Sequence, residues 1–314
     1  MGARLREKVK TLLMDVAKQV LNKDLDVAKH SEGDVRAVID AFPDVLSAPI
    51  GAGYLMMQLA MAAPKTLPFI PLFAEVGDRL NVGGEGMRGG LLVPIPCPSD
   101  PSQHLKYNLI QLLARYEMND GSSGSSCDSM CLTVMKRLRQ SNLLTKEDIK
   151  HFSLSSIRPN PRRKATFEYL VDWDPLSLKF RRKGELCLHV AVRLKSVGDG
   201  SFAMVLQAGL KHYPEELGLL FEKNRKGKTA WELAFEKYGK DETWTIIETC
   251  FDNTRDPRIV EKSPAANLYP FVIAAAGETS DLSMLYYLLR RHPEVLYRTQ
   301  CLGNVGSGKR KRLA

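Results

Sequence analysis

The feature that most constrains this chain is a phrase it uses three times. "FPDVL" (Phe42 to Leu46), "YPEEL" (Tyr213 to Leu217) and "HPEVL" (His292 to Leu296) share an aromatic or His, a proline, an acid, any residue and a leucine. Each closes an amphipathic run. Val35, Val38, Ile39 and Phe42 follow helical spacing up to Pro43, the stretch from Ser201 reads as a helix up to Pro214, and Leu282, Leu285, Leu288 and Leu289 share a face before Pro293. A proline ring clashes with a continuing helix, so each helix ends there. A glycine then opens a second, shorter apolar stretch. "GYLMMQLA" (Gly53 to Ala60), "GELCLHVA" (Gly184 to Ala191) and "GKTAWELA" (Gly227 to Ala234) align without gaps, and "ANLYPFVIA" (Ala266 to Ala274) fits the frame without its glycine. Registered on Ala191, Ala234 and Ala274, the copies lie forty-three and forty residues apart. A unit of turn, short helix, second helix, proline and loop cannot bury its apolar face alone and has to stack on its neighbours. The predicted fold is all-α, a row of stacked helix-turn-helix units with irregular Gly/Pro-rich insertions.

The physical chemistry of each frame position agrees. Glycine takes the positive φ of a tight turn, Thr229 stands at capping-box spacing from Glu232, Pro270 suits a first helical position, and the small alanines let paired helices approach. Leu186, where the capping residue belongs, has no acceptor, which costs that helix about 1 kcal/mol. The frame resembles the ankyrin repeat, whose signature G-x-T-P-L-H-x-A opens the first of two antiparallel helices. Gly184, Leu188, His189 and Ala191 match in one copy, Gly227, Thr229 and Ala234 in the next, and Pro270 and Ala274 in the last, with Gly53 and Ala60 framing the first. The resemblance covers Asp34 to Pro71 and Ala165 to Leu302, at a period longer than the family's thirty-three. A HEAT-like or other helix-pair solenoid would share this organisation. The resemblance implies an ankyrin-like α-solenoid in which His189 hydrogen-bonds backbone between repeats, and a chain that works by binding other proteins. Cys187, in the proline position, reads as a small buried hydrophobe.

Along the chain, residues 1–32 are expected to form an amphipathic capping helix, with Leu5, Val9, Leu12, Leu13, Val16 and Val20 on one face. Residues 33–80 form a first ankyrin-like region, 81–160 irregular loops and divergent helices, 161–302 further ankyrin-like repeats, and 303–314 a basic disordered tail. Helices are expected over His104 to Glu117, Asp128 to Gln140 and Thr145 to Phe152, the last capped by Thr145. Asn81 to Pro101 is too rich in Gly and Pro for a helix, and Asn119 to Ser129 reads as a flexible loop.

Nothing in the sequence points to catalysis. Gly84, Gly86 and Gly89 spell a dinucleotide fingerprint, but "LLVPIPCPSDP" follows and cannot open the helix that a pyrophosphate needs. "GNVGSGKR" (Gly303 to Arg310) has the spacing of a phosphate loop, with Arg310 where a magnesium-binding Ser or Thr belongs. The six histidines stand singly, and Cys127 and Cys131 have no zinc-like spacing, so six reduced cysteines are expected. The expectation is a non-enzyme with no cofactor, no metal and no membrane span.

The formal charge of +9 is concentrated in three places. Arg158, Arg162, Arg163 and Lys164 form one cluster, Lys179, Arg181, Arg182 and Lys183 a second, and the tail "KRKR" a third. Such clusters are solvated faces, or surfaces for acidic proteins, nucleic acid or an import receptor. The leading expectation is an intracellular scaffold, cytoplasmic or nuclear, that binds a protein partner. The alternative is a basic helical-repeat protein whose eight clustered cations contact phosphates, although few aromatics stand among them for base stacking.

Overall fold

The structure, a computed structural model, describes residues 28–43, 46, 49–50, 53–54, 64–96, 106–115, 124–152, 154, 159, 161–194, 200–254, 286 and 289–290. Within these the protein is helical, apart from two ladders of two-residue strands and two single β-bridges. No described helix is long and apolar enough to cross a membrane. Residues 1–27 of the expected capping helix, the "ANLYPFVIA" copy with Pro270 and Ala274, and the basic tail lie outside the described residues. The chain divides into two compact units that meet between Ser177 and Leu178.

In the first unit, α1 (Glu32–Ala41) begins where Ser31 accepts the Asp34 amide at 3.2 Å while the Asp34 carboxylate accepts the Ser31 amide in return. This reciprocal cap satisfies two of the donors that a helix start leaves over. Its buried face is Val35 and Ile39, and the helix stops one residue before Phe42–Pro43. The strands β1 (Pro49–Ile50) and β2 (Gly53–Tyr54) pair antiparallel, so Gly53 is a ladder residue instead of the turn glycine expected; Ala60 lies outside the described residues. A 3₁₀ segment, Pro64–Phe69, leads into α2 (Ile70–Arg79). Seven of the ten α2 residues are buried, which makes it the central helix of the unit.

The glycine-rich stretch after α2 forms a chain of turns, with left-handed φ at Asn81, Gly83, Gly84, Gly86, Arg88, Gly89 and Gly90. Gly84, Gly86 and Gly89 therefore serve turns, with no strand before them and no helix opening after them. Arg88 reaches from this loop to the Asp148 carboxylate at the start of α5 (Lys146–Phe152), which also accepts the Thr145 amide at 2.7 Å and hydroxyl at 2.9 Å. The loop is thus tied to a helix N-terminus by a charge-assisted bond.

Two helix starts differ from expectation. The helix α3 (Leu109–Arg115) begins five residues after His104, because β4 (Lys106–Tyr107) pairs with β3 (Ile95–Pro96) and Asn108 then caps the Gln111 amide at 2.9 Å. The helix α4 (Gly124–Gln140) begins four residues before Asp128, taking the end of the expected loop into its first turn. The buried row Asp128, Cys131, Val134, Met135 and Leu138 fixes it, and tertiary packing outweighs the poor helix propensity of Gly and Ser. Asp128 in turn caps α6 (Lys164–Trp173), accepting from the Ala165 amide at 2.8 Å and the Thr166 amide and hydroxyl at 3.2 and 2.5 Å. That bond set places α6 in the first unit, although the sequence groups it with the later repeats.

Among its described residues the second unit holds two helix pairs, α7 (Cys187–Arg193) with α8 (Ser201–His212), and α9 (Ala230–Tyr238) with α10 (Lys240–Thr254). Each helix packs on its partner and on its counterpart in the other pair, α7 on α9 and α8 on α10. The apolar filling is Leu188, Ala191 and Val192 from α7, Phe202, Val205 and Leu206 from α8, Ala230, Trp231 and Ala234 from α9, and Ile247, Cys250 and Phe251 from α10. Trp231 is 1 % exposed and stands against Phe235 at 4.6 Å, Trp244 edge-on at 5.7 Å and Phe221 at 5.8 Å. After α8 the chain turns through Pro214–Leu219, with Leu217 and Gly218 left-handed. A Cβ on Gly209 would sit 2.5 Å from the Gly218 carbonyl oxygen, so the turn lies directly on the helix because both residues are glycine.

Candidate interaction surface

The turns that precede α7 and α9 are built differently from similar residues. Arg182 and Glu185 exchange both backbone hydrogen bonds, at 2.9 and 3.0 Å, around Lys183 and Gly184, whose φ values are 52° and 78°. Two central residues with positive φ define a type I′ turn, the one whose twist suits a two-residue hairpin. In the second, Asn224 donates its amide to the Lys228 carbonyl, and its side-chain oxygen accepts the Lys226 and Lys228 amides at 2.8 and 3.1 Å. Gly227, with φ 77°, supplies the left-handed residue that closes a three-residue loop.

Neighbouring turns are in backbone contact. The Arg225 amide donates to the Gly184 carbonyl at 3.1 Å, and a Cβ on Gly184 would stand 2.6 Å from the Arg225 Cβ. Arg181 donates to the Lys223 carbonyl at 2.6 Å and pairs with the Glu222 carboxylate at 2.5 Å. His189 completes the tie. It is fully buried; its Nδ1 accepts the Leu186 amide at 3.2 Å, which fixes the other nitrogen, Nε2, as the donor to the Glu222 carbonyl at 2.9 Å. Burial holds its pKa below the ordinary histidine value, against the pull of the Glu222 carbonyl and Glu185. A neutral imidazole with both nitrogens bonded joins one helix start to the segment that leads into the next turn.

At the far end of α7, Lys237 donates to the Val192 carbonyl at 2.7 Å and to that of Leu194, and the Tyr238 hydroxyl donates to Val192 at 3.1 Å. These are the carbonyls a helix C-terminus leaves over, and a cation from the next pair satisfies them. Thr229 accepts the Glu232 amide at 3.1 Å while Glu232 accepts the Thr229 amide at 2.6 Å, so the capping box forms. Leu188 and Ala191 are buried between helices, as is Ala234, and Cys187 lies in the same interior, where burial pushes its thiol pKa up.

The basic candidates are not one patch. Arg158 lies outside the described residues. Arg163 is 4 % exposed and donates to the Leu113 carbonyl, so it is an internal strut and cannot meet phosphate. Lys164 pairs with Glu168 one turn along its own helix, and Arg162 is exposed. Lys179 pairs with Glu216 at 2.6 Å and lies over the Tyr213 ring at 4.3 Å. Arg182 and Lys183 remain exposed on the first turn, beside Lys223, Arg225 and Lys226 of the second. The signal that reveals Arg225 and Lys226 is the tripeptide Arg-Lys-Gly, at 182–184 and again forty-three residues later at 225–227, the interval set by Ala191 and Ala234.

Among the described residues no group of three or more His, Cys, Asp or Glu side chains is placed to hold a metal ion. Comparison of the chain with models of protein families, with curated proteins and with solved structures gave no match in any of the three.

Proposed function

We propose that this chain is a non-catalytic, ankyrin-like binding module whose second unit holds a protein partner on the face made by its successive turns. The observation that carries the reading is the backbone bond from Arg225 to Gly184, reinforced by His189 between Leu186 and Glu222. Turns that are tied to each other form a surface of fixed shape, and a preformed surface spends little ordering entropy on binding. The four helices behind them, each touching its partner and its counterpart, are what a row of repeats requires. A photo-crosslinking residue at Lys226, with one on the helix surface at Asn253 as control, tests it in an extract of the source cells. Protein adducts specific to Lys226 support the reading, and absence of adducts at both positions overturns it.

The second reading, nucleic-acid binding, draws on the exposed Arg182, Lys183, Arg225 and Lys226. Adducts at Lys226 that consist only of nucleic acid would select it instead.

A further inference from the structure

We infer that the paired Arg-Lys turn tips of the second unit are a docking ridge for an extended acidic peptide segment. The inference rests on the binding-module reading and adds the chemistry of the partner. Its first support is the local balance of charge. Four carboxylates around the two turns already have a cation: Glu222 has Arg181, Glu185 has Arg193, Glu216 has Lys179 and Glu236 has Lys228, while the Glu232 carboxylate is taken up by the Thr229 amide and hydroxyl in its helix cap. Arg182, Lys183, Lys223, Arg225 and Lys226 are exposed and have no carboxylate partner among the described residues. The ridge therefore carries five uncompensated positive charges on two turns whose backbones touch, a local surplus that attracts and concentrates anionic segments.

The second support is positional. Arg182 and Arg225, and Lys183 and Lys226, occupy the same place in successive copies of the frame, and the turns that carry them touch through Gly184 and Arg225. Lys183 holds its place at a left-handed φ of 52°, which glycine adopts with less strain. Folding alone gives no reason for a lysine there. The shape of the ridge favours a peptide over a nucleic acid strand. The tips carry no aromatic side chain on which bases could stack, and Phe180, 43 % exposed, stands two residues before the first tip. An extended peptide presents side chains on one face about every 7 Å, which lets alternate carboxylates meet successive cations while an apolar residue rests on Phe180.

Fluorescence anisotropy with the full-length chain tests this. The probes are a labelled twelve-residue Glu/Asp-rich peptide, a charge-neutral peptide of equal length and a twelve-nucleotide single-stranded RNA, each at low and near-physiological salt. The acidic peptide is expected to bind more tightly than both other probes. The double reversals Arg182→Glu/Arg225→Glu and Lys183→Glu/Lys226→Glu should each weaken it at least about tenfold. Reversals at the exposed Lys146 and Lys240 should change it less than about twofold. Amide exchange over residues 200–254 equal to the parent's shows that the variants are folded. Tighter binding of RNA than of peptide, no peptide binding at low salt, or peptide binding untouched by both ridge reversals would each overturn the inference. Loss of peptide binding with turn-specific protein adducts retained would sink the acidic ridge while leaving the binding module standing.

Discussion

Replacing His189 by alanine removes a side chain that bonds simultaneously to a helix start and to the segment leading into the following turn. The Leu186 amide is deeply buried and loses the imidazole acceptor, a loss of about 1–3 kcal/mol for an unsatisfied interior donor. Glu222 is exposed, so water can partly replace the imidazole at its carbonyl, and that loss falls near 1 kcal/mol. A total of roughly 2–4 kcal/mol is expected, a large share of a typical domain's stability. His189→Gln separates the two bonds, because a glutamine at the third helical position can accept the Leu186 amide but does not reach as the imidazole does to Glu222. It should recover about 1 kcal/mol and leave the turn loose. Acid tests the same geometry. The folded pKa lies below the unfolded value near 6.5, so the unfolded chain binds more protons between the two. The stabilisation from His189 is complete above about pH 6.5 and is lost as pH falls towards the folded value, at no more than about 1.4 kcal/mol per pH unit. Urea unfolding of the full chain, with amide exchange of the segment 220–231, at about pH 7.5 and about pH 5.5 reads both effects. His189→Ala within about 0.5 kcal/mol of the parent, or a parent and variant with the same pH dependence, would refute the assignment of this imidazole as a neutral tie between repeats.

Gly184→Ala should destabilise the second unit by about 1–3 kcal/mol, since it forces a Cβ into a left-handed residue and against Arg225; chemical denaturation reads it, and an unchanged midpoint would contradict the turn contact. Thr229→Ala should cost about 1 kcal/mol through the lost cap, whereas Thr229→Ser should be within a few tenths of the parent. Asp128→Ala should cost about 2–4 kcal/mol, because three donors at the start of α6 lose one carboxylate; the same change should raise amide exchange at Ala165 and Thr166 first. Cys187 and Cys250, both buried, the latter with its pKa pushed up to about 12, should resist thiol reagents in the native chain and react once urea unfolds it; rapid labelling of either at neutral pH would show that the interior is open.

Local chemistry was the legible part. The Thr229 and Glu232 pair, the stop at Phe42–Pro43 and the helix from Ser201 to His212 rest on residues within a turn of one another, so spacing alone exposes them. The helices starting at Leu109 and Gly124 were misjudged for one reason: what fixes each start is a partner outside the window. Lys106–Tyr107 is held by Ile95–Pro96, and the glycine and serine of the second are carried by a buried face. An arginine in a basic run suggests a surface residue, and only the Leu113 carbonyl, fifty positions away, makes Arg163 an interior strut.

The basic residues show why sequence proximity is a poor guide to which charges share a surface. Arg162 to Lys164 and Lys179 to Lys183 look like two clusters along the chain, yet one member is buried and three spend their charge on neighbouring acids. Residues on the two turns are the true neighbours, since one turn lies against the other, as the Gly184 carbonyl does on the Arg225 amide. Grouping charges by period instead of by distance along the chain joins Arg182 to Arg225 and Lys183 to Lys226. A further copy stacked on the same edge would extend that row only if it placed cations at the two positions before its own turn glycine. The length of the ridge, and hence of the acidic segment it takes, is therefore set by how many turns carry the Arg-Lys pair and not by the net charge of the chain.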